Sequence, residues 1–169
     1  MKTISKIFVI LFTASLGLTV NAQSKIGHIN SQELLAAMPE TDSAQKKLEK
    51  VAMEHDLALE EMTVEFNRKL DEFNTNYESM SDLVRASKEA ELQDLQKRVQ
   101  AFQQTAEQDL QRKRMELFQP IQEKALNAVN EVAKDNGFTY VIDAGTGVLV
   151  YMGDEAQDIL PLVKAKLGL

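Results

Sequence analysis

Apolar and seam-compatible residues recur along the middle of the chain at helical spacing. Leu48, Ala52, His55, Leu59, Met62, Phe66, Leu70, Phe73, Tyr77 and Met80 follow one another in steps of 4-3-4-3-4-4-3-4-3. This is a heptad seam with one extra step of four around Phe66, which locally relaxes a left-handed supercoil. A second series keeps helical spacing through Leu92, Leu95, Val99, Phe102, Ala106 and Leu110, then Leu117, Ile121, Ala125, Ala128 and Val132. Neither series alternates as a half-buried strand would. They lose phase across residues 78–87, where Ser81, Asp82 and Ser87 are candidate N-caps. The pattern predicts two antiparallel helices forming an arm over residues 42–119, with its tip near 79–87. The alternative is one continuous helix with a parallel partner, because no Gly marks the tip.

The flanks carry different signals. Residues 25–29 (K-I-G-H-I) read as a short strand. Asn30-Ser31-Gln32-Glu33 has capping-box spacing before Leu34 and Leu35, so a short helix follows and stops at Pro39. Asp42-Ser43-Ala44-Gln45 offers a second box to open the first long helix. That helix, 42–79, and the second up to Pro120, 84–119, match in length at about 57 and about 54 Å. Pro120 is expected to kink the second helix and mark where it leaves its partner for a separate body. Gly137 suits the end of that helix. Residues 138–143 and 148–152 are β-rich and flank Ala144-Gly145-Thr146-Gly147, which predicts a β-hairpin. Pro161 fits the first turn of a final helix ending near Leu167. The fold class is therefore α+β and mostly helical. A long antiparallel coiled-coil hairpin stands on a small β-containing association body built from residues 23–41 and 120–169. So few strands cannot close a sheet, and a lone arm has only its own seam to bury, so several copies are expected to share one core.

Composition sharpens this in three ways. Of the 7 Gly none lies between Gly27 and Gly137, and of the 3 Pro none lies between Pro39 and Pro120. The arm is free of helix breakers. There is no Cys, which excludes a disulfide scaffold and thiolate metal sites. Residues 1–22 read as a secretory leader: Lys2 and Lys6, an apolar run from Ile7 to Val20, and Ala22 at the cleavage position. An uncleaved anchor is the alternative, but about 14 apolar residues are short for a bilayer span.

With the leader removed, the 19 bases become 17 against 26 acids, a net charge of −9. That argues against a nucleic-acid binder, which needs a concentrated basic face. The first long helix is strongly acidic. The clusters Lys97-Arg98 and Arg112-Lys113-Arg114 lie only in the second, either as a solvated exterior or as a weak candidate strip for an anionic partner. No catalytic constellation stands out. His28 and His55 belong to no ligand pair, Asp143 has no nameable partner, and Glu60-Glu61 point about 100° apart on a helix. No enzyme activity, metal or cofactor is expected. The apolar surplus says more. Met53, Leu57 and Val64 lie off the seam, and the tip adds Met80, Leu83 and Val84. On a two-helix arm these residues are exposed and are the candidate contacts for an adaptable partner, or else pack on a neighbouring arm.

The order of parts resembles the Skp/OmpH family of periplasmic chaperones. The resemblance rests chiefly on S-Q-E-L-L-A-A-M-P-E (31–40) and G-F-T-Y-V-I-D (137–143) and runs the length of the mature chain. It implies a homotrimer with a strand-built central body and three helical arms around a cavity. It also implies an ATP-independent holdase that keeps unfolded outer-membrane proteins from aggregating before insertion, in the periplasm after cleavage behind Ala22. Several family members are basic and meet anionic lipid or lipopolysaccharide. This chain departs from them at net −9, so a lipopolysaccharide site does not carry over, and peripheral contact with anionic lipid is left open. Two other classes stand beside the holdase: a structural envelope coiled coil, and a protein that binds anionic lipid or lipopolysaccharide.

Overall fold

A computed structural model describes residues 24–153 and 156–169, so the leader lies outside the described residues. The elements run β1 (Ile26–Ile29), α1 (Ser31–Ala37), α2 (Pro39–Asn76), a 3-10 turn (Tyr77–Ser79), α3 (Asp82–Asp135), β2 (Tyr140–Asp143), a second 3-10 turn (Ala144–Thr146), β3 (Gln157–Asp158) and α4 (Leu160–Leu167). The protein is mostly helical, with two long helices and one small sheet. α2 and α3 form the antiparallel hairpin. Every residue of both seams is buried or half-buried except Tyr77 at the tip.

Local chemistry sets the helix ends. The Asn30 side chain caps α1 by accepting from the Glu33 N–H at 3.1 Å. The Glu33 carboxylate does not complete a capping box. It reaches Lys164 of α4 at 2.8 Å and ties the two short helices together. Pro39 both follows the end of α1 and opens α2 in its first turn, three residues ahead of the expected box. Asp42 pairs with Lys46 along the helix instead. Ser81 caps α3, its oxygen accepting from the Val84 N–H.

The tip needs no Gly because no residue in it has positive φ. Met80 and Ser81 both adopt extended backbone, open to any L-residue. Arg85 then locks the turn. Its guanidinium lies 4.1 Å over the Tyr77 ring and donates to the Tyr77 and Met80 carbonyls.

Two expectations are corrected. Pro120 does not mark where α3 leaves its partner. α3 runs through it from Asp82 to Asp135, and α2 still lies alongside, with Glu40 paired to Lys124. Pro forfeits one intrahelical bond. The turns that follow bury Ile121, Ala125, Ala128 and Val132 in the main core, and that packing carries the helix on. Nor do the described residues form a β-hairpin. The sheet has order β2-β1-β3, and both pairings are parallel. β3 is the polar pair Gln157–Asp158, while residues 148–152 form no strand.

The core gathers Ile29, Leu34, Met38 and Ala44 with the end of α3 and with Ile159, Leu160 and Val163. Gly27 is required by close approach: a Cβ there would sit 2.9 Å from the Phe138 ring. Asp143 closes the other end of β2. Its carboxylate accepts from Ser31 Oγ at 2.5 Å, Ser31 N at 3.1 Å and Gly145 N at 2.9 Å, joining β2, α1 and the following turn. Burial pushes this carboxyl up, but the three donors together outweigh it and hold it below the usual aspartate value. The stabilisation is therefore present above about pH 4, the unfolded value, and is lost as pH falls through the lower folded value. Asp143→Ala is expected to cost about 1–3 kcal/mol at pH 7. Urea denaturation of both chains at pH 7 and below pH 3 checks this, with the difference shrinking in acid.

Candidate functional site

The arm presents an exterior with sparse apolar groups. Met53, Leu57 and Val64 are 65%, 55% and 61% exposed. At 100° per residue they fall within about 40° of one another, on the side of α2 away from its seam. Leu83 and Val84, in the first turn of α3, are exposed at the tip. Met80 differs from expectation. It is half-buried, in a cleft with Phe73 and Leu92, because it closes the last turn of the seam. Five of the six candidate contacts are thus open, and the three on α2 form one stripe.

The basic strip divides. Arg112 is paired with Asp109 and Glu116, and Lys113 with Glu116 at 3.1 Å. Lys97, Arg98 and Arg114 have no carboxylate within 4 Å among the described residues. Arg114 instead lines an open groove of about 590 Å³ at the arm base, with Leu48, Ala52, Leu110 and Met115. The two clusters are therefore not equivalent, and no compact basic pocket joins them.

His55 lies inside the arm, with Nε2 3.4 Å from Asp109 Oδ2 and its ring edge-on to Phe102. Near the tip Lys69 and Lys88 both bond Glu91 and hold its carboxyl down at about 2. These groups fix the register of the hairpin. His28 is half-buried in β1, opposite Ile142 and Asp158, and its carbonyl accepts from the Ile159 N–H. No group of three or more His, Cys, Asp or Glu among the described residues could hold a metal ion.

Further exposed apolar side chains lie on the body, in the two segments expected to pair as a hairpin. Val150 is 101% and Tyr151 85% exposed, with Val148, Met152, Tyr140 and Ile142 also open. β2 is an edge strand with one side unpaired. The β-rich segment 148–152 pairs with no strand among the described residues.

A family model described as outer membrane protein (OmpH-like) matches residues 25–167. The chain belongs to the OmpH-like family. Among known proteins this OmpH-like chain is similar to the chaperone protein Skp of Yersinia enterocolitica. The two are 27% identical over 154 residues, covering 88% of this chain and 92% of that protein. Its fold matches a crystal structure from Caulobacter crescentus, described as an outer membrane chaperone (OmpH-like), with a TM-score of 0.73 at 12% identity over 89% of this chain and 88% of that one. Among the described residues of the OmpH-like chain, no helix is long and apolar enough to cross a membrane.

Proposed function

We propose that this protein is a periplasmic holdase that binds unfolded outer-membrane proteins without ATP and keeps them from aggregating until they insert. The observation that carries this reading is the run of exposed apolar side chains on a long two-helix arm, in a chain of the OmpH-like family. A client of this kind is long, sticky and diverse in sequence. Scattered apolar contacts on an adaptable surface hold it without a shaped pocket. Each contact is weak, and several arms around one client multiply them through effective concentration. No bond is made or broken, so release needs only a better-bound destination.

On this reading residues 1–22 are a leader cleaved after Ala22, residues 42–119 are the arm, and residues 23–41 and 120–169 are the body. The body is proposed to be the centre of a homotrimer. Its sheet has three strands, and it exposes more apolar area than a single chain needs, so neighbouring copies would supply the missing cover. The lipopolysaccharide alternative is disfavoured by the ion pairs at Arg112 and Lys113 and by the acidic total.

The test is dilution of a urea-unfolded outer-membrane protein into buffer with the purified chain. Light scattering is expected to stay low with the wild type. With Met53→Ser, Leu57→Ser and Val64→Ser combined, holding is expected to weaken by roughly tenfold or more, since each buried aliphatic group contributes about 1.5–3 kcal/mol when fully covered. Unchanged aggregation with excess wild-type chain would refute the reading.

A further inference from the structure

The outward face of α2 combines the apolar stripe with an unbalanced charge. Three bases share that face, and each is already neutralised along its own helix. Lys46 pairs with Asp42 at 2.7 Å, Lys50 with Glu54 at 3.8 Å, and Arg68 with Glu72. Among its acids, Asp56, Glu60, Glu61 and Asp71 lie level with the stripe or one heptad beyond it. All four are exposed, and none has a Lys, Arg or His within 4 Å among the described residues. Glu60 falls between Leu57 and Val64 on the helical net, and Asp71 lies one heptad beyond Val64. The stripe is therefore edged by carboxylates whose counter-charge the arm does not provide.

We propose that this face selects unfolded segments in which Lys or Arg alternates with aliphatic or aromatic residues. The proposal rests on the holdase reading and names the class of client segment the arm prefers. An apolar residue seated on Leu57 or Val64 carries its cationic neighbour to Glu60 or Glu61, within the roughly 8 Å over which charges act at physiological salt. Apolar contact supplies affinity without direction, and the carboxylates supply the sign. Anionic lipid is repelled by the same four groups. A second copy docking through the same face would set like charges together, at a cost. Unpaired bases of another copy, such as Lys97 and Arg98 of α3, compete as an occupant.

Two labelled 20-residue peptides test this, with identical Leu, Phe and Tyr positions and either Lys or Glu between them. Anisotropy is measured with the full chain at low and high salt. The Lys peptide is expected to bind about tenfold more tightly at 50 mM NaCl, with the gap narrowing as salt rises. Asp56→Asn, Glu60→Gln, Glu61→Gln and Asp71→Asn together are expected to abolish the preference while leaving oligomer mass and helicity unchanged. Equal affinities in the wild type, or a preference that survives in the fourfold variant, would overturn the charge rule. A change in oligomer mass on neutralisation would also overturn it, by assigning the face to a neighbouring copy. If the wild type still protects an unfolded outer-membrane protein in any of these cases, the holdase reading stands. Failure of that protection would remove the holdase reading, and this inference with it.

Discussion

Val150→Glu combined with Tyr151→Glu is expected to convert a three-chain particle into single chains. Both side chains stand almost fully in solvent in the isolated chain. They belong to a β-rich segment with no strand partner among the described residues. If three copies share the body, this segment and the open edge of β2 are the surfaces that meet. Covering a Val and a Tyr contributes about 1.5–3 kcal/mol each. Losing even about 3 kcal/mol per chain weakens association by more than a hundredfold. Two carboxylates placed in an apolar contact add a desolvation cost. Light scattering reads the result directly, and helicity should hold because neither residue touches the core of α1 to α4. A double variant that keeps the wild-type mass would place the association surface elsewhere.

Leu34→Ala carries the largest expected effect on stability. Leu34 is almost wholly buried in a core joining β1, α1, the end of α3 and α4. Truncating such a residue removes its transfer free energy and leaves a cavity, at about 2–5 kcal/mol. A domain of this size is stabilised by only about 5–15 kcal/mol. The arm cannot compensate, because its seam residues other than Leu48 and Leu95 are only half-covered by two helices. The urea midpoint is expected to fall strongly for Leu34→Ala and far less for Leu59→Ala in the mid-arm. Equal effects would mean that the arm, not the body, holds the fold together.

The hairpin was legible because heptads are local. A period of 3.5 repeated along 30 residues survives any error at a single position, so each seam residue could be named before its partner was known. The ends were less legible, because Pro is ambiguous. Pro39 reads as a stop, yet it is also a favoured first-turn residue and serves as one. Pro120 reads as a break, yet the core on its far side holds the helix through it. The sheet was least legible. β3 has two polar residues and is recognisable only by its pairing to Gly27 and His28, across more than a hundred residues of chain. The misplaced hairpin at 148–152 has a related cause, since β-rich composition shows that a segment suits a strand without showing what it pairs with. For the arm surface, exposure followed from position on the helical net. The state of each charge did not: that Arg112 is paired and Asp56 is not depends on which rotamers meet.

The most direct measurement is a titration of a fixed amount of urea-unfolded outer-membrane protein with the wild-type chain, following aggregation and particle mass together. Holding by a three-armed particle predicts that aggregation stops near three chains per client, and that the soluble complex has the mass of three chains plus one client. Aggregation unchanged at a large excess of chain, or a single chain that never associates with client or copy, would contradict it.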